Sequence, residues 1–120
     1  MENIEKIYVD GVIVIKVNLI RAILNESIAL RGIVDEEINS GQTKLVIDLS
    51  ECVYIDSTFF GAIIMASKRL IAIGYKLRVV EPAIVGQSIV FSINTSKIFD
   101  KYETREDAIK SFQGDIQPES

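Results

Sequence analysis

One run of residues leaves this chain little freedom in how it folds: Leu45-Val46-Ile47-Asp48-Leu49, then Ser50-Glu51-Cys52, Val53-Tyr54-Ile55 and Asp56-Ser57-Thr58. A short, mostly apolar run of this kind suits a central strand buried on both faces. After a brief loop, Val53-Tyr54-Ile55 returns the chain to the core. Asp56-Ser57-Thr58 then precedes a long apolar-periodic segment and carries the residue types that open helices. Strand, loop and capped helix in direct succession set two hydroxyls and a carboxylate at one helix start.

The segments around this junction repeat the alternation. Ile4 to Val9 and Val12 to Val17 flank Asp10-Gly11, the pattern of a β-hairpin with a two-residue turn. The second run is apolar at almost every position and belongs well inside a sheet. Asn18 to Leu24 is ambiguous. A helix opens at Asn25 or Ser27, presents Ile28, Leu30, Val34 and Ile38 on one side with Glu36 and Glu37 on another, and stops at Ser40-Gly41. The helix after Asp56 runs from Ser57 to about Ile73, with a core stripe of Phe60, Ile63, Ile64, Leu70 and Ile71 and with Ser67 in line. Lys76 to Val80 reads as a strand. Pro82 suits the first turn of a third helix carrying Ile84, Val85, Ile89, Val90 and Ile93. Ile98-Phe99 and Tyr102 form a short extended piece, and Thr104-x-x-Asp107 resembles a capping box for a last helix ending near Phe112.

The expected architecture is α/β: a mixed, mostly parallel sheet with an N-terminal hairpin, covered by about four helices. Residues 1–112 form one domain and 113–120, polar and containing Pro118, form a flexible tail. At 120 residues and 48% hydrophobic content the chain has enough apolar matter for one real core. Seventeen acidic residues stand against 13 basic ones, and no Lys/Arg block forms a phosphate-binding stripe, which argues against nucleic acid as a partner. The lone cysteine, Cys52, leaves no intrachain disulfide, and with no histidine present a metal site is disfavoured. No signal peptide or membrane-length apolar run is apparent, so the expectation is a cytoplasmic protein without membrane attachment. No catalytic constellation emerges: there is no histidine for a triad, no Gly-rich phosphate loop and no carboxylate pair singled out by spacing. No cofactor is implied, and Cys52 reads as inert packing.

The strand ending Val46-Ile47-Asp48-Leu49-Ser50, the tyrosine-bearing stretch, Asp56-Ser57-Thr58 and Gly61 together resemble the STAS domain, and more narrowly the bacterial anti-sigma factor antagonists. The likeness extends from about Ile4 to Phe112. It implies a STAS-like fold and regulation of transcription by partner switching. An anti-sigma factor that is also a serine kinase would bind the unphosphorylated chain, phosphorylate Ser57 and release it, and a phosphatase would reset the switch. Where that family carries an acidic residue in the turn after the second strand, this chain has Arg21. The alternative is a STAS scaffold or ligand-sensing interaction module that is never phosphorylated.

Ser57 is the expected phosphorylation site and Thr58 the second choice, although both residue types at a helix start commonly do no more than cap it. A phosphate there would lie over free backbone N–H groups while adding about −1.5 to −2 charges. Phe59, Ala62, Met65 and Ala66 form a second apolar side, offset from the expected stripe. That side either packs on a neighbour or stays exposed as a partner surface. The expected partner-binding set is Asp56, Ser57, Thr58, Phe59, Ala62 and Met65, with Phe60, Ile63 and Ile64 in the core.

Overall fold

The hairpin turn at Asp10-Gly11 has positive φ at both residues, 52° and 79°. That geometry matches the right-handed twist of the strands it joins, which is why an Asp-Gly pair directs it. The computed structural model describes residues 3–83 and 94–113. The turn links β1 (Ile4–Val9) to β2 (Val12–Val17) as an antiparallel pair. Then follow β3 (Arg21–Ala22), α1 (Leu24–Asn39), β4 (Leu45–Asp48), β5 (Tyr54–Ile55), α2 (Ser57–Ala72), β6 (Leu77–Val80), β7 (Phe99–Tyr102) and α3 (Arg105–Ser111). The main sheet has the order β1-β2-β4-β6-β7, and every pair beyond the hairpin is parallel. The mixed sheet with its N-terminal hairpin is as expected. Three helices stand among the described residues; the further helix expected at Ile84 to Ile93 and the tail from 114 lie outside them.

Strand alternation divides the interior in two. Ile13, Ile15 and Val17 of β2, Leu45 and Ile47 of β4, and Leu77 and Val79 of β6 face α1 and α2 in the larger core. Their neighbours Val12, Val14, Val46 and Val80 face the other way, onto Ala108 and Phe112. Because β2 and β4 are buried on both faces, they read as nearly continuous apolar runs, whereas β6, equally buried, is interrupted by Arg78. Two polar residues on the smaller face are held by hydrogen bonds. Arg78 donates to the Ser111 hydroxyl at 2.9 Å and lies over the Phe112 ring, while Asp48 accepts from Arg105 Nε at 3.0 Å. Thr104 caps α3 by accepting from the Asp107 N–H at 3.1 Å, as its sequence motif suggests.

Helix α1 departs from expectation in two ways. Its cap is Ile23, not Asn25 or Ser27, and Glu26 reaches back to accept from the Ile23 N–H at 3.4 Å. Its buried face is Ser27, Leu30, Val34 and Glu37, leaving Ile28 in solvent. Burial of Glu37 is possible because Lys6 Nζ (3.2 Å) and the Tyr8 hydroxyl (2.9 Å) donate to its carboxylate from β1. Those hydrogen bonds raise the pKa of both Lys6 and Tyr8 above their ordinary values.

Candidate functional site

Helix α2 is positioned by a small second sheet that the sequence left ambiguous. Two residues of β3 pair in parallel with two of β5, Arg21 opposite Tyr54 and Ala22 opposite Ile55. The ladder continues one bond further, where the Asp56 N–H donates to the Ala22 carbonyl at 3.0 Å. Since α1 follows β3 and α2 follows β5, the two 16-residue helices start side by side and run in the same direction. They pack against each other on one face of the main sheet. The Arg21 guanidinium lies 4.6 Å from the centre of the Tyr54 ring, so the position where the resembling family has an acid instead holds a cation stacked on an aromatic face.

At the start of α2, capping and exposure fall to different residues. Asp56 is the cap: its Oδ1 accepts from the Phe59 N–H at 2.8 Å, and its carbonyl accepts from the Phe60 N–H at 3.0 Å. Ser57 and Thr58 therefore occupy the first two helical positions, both exposed to solvent. Amides in this first turn have no intrahelical acceptor, and the positive end of the helix dipole is here. A hydroxyl at this spot is accessible to another protein and is not needed to hold the helix end.

The placement of Phe59 and Ala62 on an exposed side is overturned. Phe59 is fully buried and Ala62 and Ala66 nearly so; with Ile63, Ser67 and Leu70 they form the true core face of α2. The expected stripe was out of phase by about one residue. Phe60 and Ile64 are half-buried, Phe60 meeting Phe99 edge-to-face at 6.3 Å, and Ile71 is exposed. The physical cause is that α2 has two neighbours, the sheet and α1, and buries a face wide enough to reach both. Small side chains at Ala62 and Ala66 let α1 come close. Ser67 sits in this core because its hydroxyl donates to the Ile63 carbonyl at 2.9 Å. Of the apolar residues expected on the partner surface, Met65 remains in solvent, 47% exposed.

Cys52 is buried, and burial first, then the charges of Asp48 and Glu51, push its thiol up to about 12. A thiol so protonated is a poor nucleophile. Native protein at pH 8 is expected to resist an aromatic disulfide reagent and to react fully in denaturant; rapid native labelling would contradict the packing described here. Among the described residues no cluster of three potential metal ligands occurs, and no helix is long and apolar enough to cross a membrane.

Comparison with known proteins places this geometry. The family model described as the STAS domain matches residues 5–108. A Thermotoga neapolitana protein, named as a candidate anti-sigma factor antagonist homologous to TM1081, is 26% identical over 106 residues, covering 88% of this chain and 94% of that one. The crystal structure of a candidate anti-sigma factor antagonist from Thermotoga maritima superposes with a TM-score of 0.74 at 22% identity, covering 92% of this chain and 94% of its own. The anti-sigma factor antagonist SpoIIAA in its unphosphorylated form gives a TM-score of 0.71 at 18% identity, covering 92% and 98%. The expected mixed, mostly parallel sheet with its N-terminal hairpin is the fold these structures share.

Proposed function

The chain belongs to the STAS domain family, and from that premise we propose that it is an anti-sigma factor antagonist acting by partner switching. Unphosphorylated, it binds an anti-sigma factor that is also a serine kinase; that kinase phosphorylates Ser57, the complex separates, and a phosphatase restores the binding form. Such a cycle belongs in the cytoplasm, where sigma factors act. Thr58 is the second acceptor.

The observation that carries this reading is the division of work at the start of α2. Asp56 caps the helix, so the exposed Ser57 hydroxyl can be modified without removing a structural hydrogen bond. A phosphate there adds about −1.5 to −2 charges beside the positive end of a helix, a place the fold tolerates. The same charge on a docking surface does not suit a partner shaped for a neutral hydroxyl. Modification therefore switches an interface and leaves the fold intact.

The test is phosphorylation by the serine-kinase anti-sigma factors of the same genome with ATP, read by intact mass. One phosphoryl group is expected on the parent chain and on Thr58→Ala, and none on Ser57→Ala. Ser57→Ala is expected to melt close to the parent, since the cap is Asp56, and to hold the kinase in a complex it cannot discharge. Full phosphate incorporation into folded Ser57→Ala removes Ser57 from the mechanism.

A further inference from the structure

Helix α1 buries Leu30 and Val34 against the core, but its two faces are incompletely sorted. It buries Ser27 and Glu37 while Leu24 and Ile28 stand 53% and 66% exposed. Buried polar groups and exposed large aliphatics are the informative exceptions to the usual inside–outside rule. Leu24, Ile28 and Gly32 are spaced four apart and make one line along α1, while Ser57, Gly61 and Met65 make the corresponding line along α2. Between the two helices, touching the second line at Met65, lies a slot of about 80 Å³ lined by Arg31, Val34, Ala62 and Ala66 together with the ion pair of Asp35 and Arg69. That volume admits about one aliphatic side chain.

The two glycines are a separate observation. Gly32 and Gly61 lie in helix interiors, where glycine costs roughly 1 kcal/mol relative to alanine. Neither has a positive φ, and a Cβ added at either would meet nothing within 4 Å. Among the described residues nothing asks for a missing side chain at these positions. A surface that must be approached closely from outside does.

Resting on the partner-switching reading above, we propose that the anti-sigma factor docks across both helices, seating an apolar element flanked by carboxylates on Leu24, Ile28, Gly32, Gly61 and Met65. Charge supports that occupant. The chain is acidic overall at −4, yet this face is bounded by exposed Arg21 and Arg31, and the carboxylates beside it are engaged within the domain: Asp35 by Arg69, Glu36 by Lys6, and Asp56 by the Phe59 N–H it caps. Carboxylates on the partner fit the arginines while Ser57 is a neutral hydroxyl, and they meet like charge once it carries phosphate. Self-association of this chain is the competing occupant.

Two variants of the full chain, Gly61→Ala and Ile28→Glu, test this against each purified serine-kinase anti-sigma factor without ATP. Gly61→Ala is expected to melt a few degrees above the parent, because the helix gains a better former, and yet to bind about tenfold or more weakly. Ile28→Glu is expected to keep the parent's melting temperature and to lose at least as much affinity. Either variant binding within about threefold of the parent overturns the proposal while leaving the function above intact. A change in the free chain's sedimentation on introducing Ile28→Glu overturns it in favour of a second copy. If the parent binds none of the kinases, the proposed function fails and this face has no such partner.

Discussion

Phe59→Ala is expected to destabilise the domain by about 3–5 kcal/mol, a loss of roughly 10–20 °C in melting temperature. The side chain is fully buried, two residues from Ser57, in a core shared by β2, β4, β6, α1 and α2. Its removal opens a cavity among side chains held by a rigid sheet, so collapse recovers little of the lost contact. Ile64→Ala, at a half-buried position, should cost clearly less. Denaturant unfolding of the two variants gives the order directly. If Phe59→Ala costs less than about 1 kcal/mol, or less than Ile64→Ala, the phase assigned to α2 is wrong. The core of the domain thus reaches to within two residues of Ser57, holding the site on a fixed frame.

Ser57→Asp is expected to do the opposite: to weaken binding to the anti-sigma factor by about 2 kcal/mol or more, roughly thirtyfold, while leaving the fold at least as stable. A carboxylate at the first helical position faces unpaired amides and the positive end of the dipole, an arrangement worth about 0.3–1 kcal/mol to the helix. On the proposed docking face the same charge would meet a partner surface suited to a neutral hydroxyl. Aspartate has one charge and fewer oxygens than a phosphate, so the variant should fall short of the fully phosphorylated chain. Melting and a binding titration, run side by side, separate the two effects. A variant that unfolds, or one that binds like the parent, removes the electrostatic basis of the switch.

Much of this frame was legible in the residues. Asp10-Gly11 announced the hairpin because both turn residues need positive φ, and the apolar runs of β2 and β4 announced central strands because both faces are covered. The Asp56-Ser57-Thr58 cluster marked the start of α2 to the residue, though which of the three would cap was decided only by geometry. The phase of α2 was not legible. Phe59, Phe60, Ala62, Ile63, Ile64, Met65 and Ala66 surround the helix so nearly completely that apolar periodicity selects no angle. The Ala62/Ala66 pair was the available signal, since small residues four apart mark close approach of another helix. The β3–β5 pair escaped because two-residue strands carry no period. Burial of Glu37 was set by Lys6 and Tyr8, some thirty residues away in the chain.

The sheet's two faces also divide the domain into layers of unequal robustness. One layer is broad, knitted from two long helices, and carries Ser57; in the other, among the described residues, a seven-residue helix sets Ala108 and Phe112 on four buried valines of the sheet. Local opening of a folded protein follows such divisions, with the lightly anchored unit fluctuating independently of the rest. Opening of α3 is therefore expected to leave the start of α2 in place, because the two lie on opposite faces of the sheet. Sequence change on the α3 side is likewise expected to leave the geometry at the start of α2 unaltered.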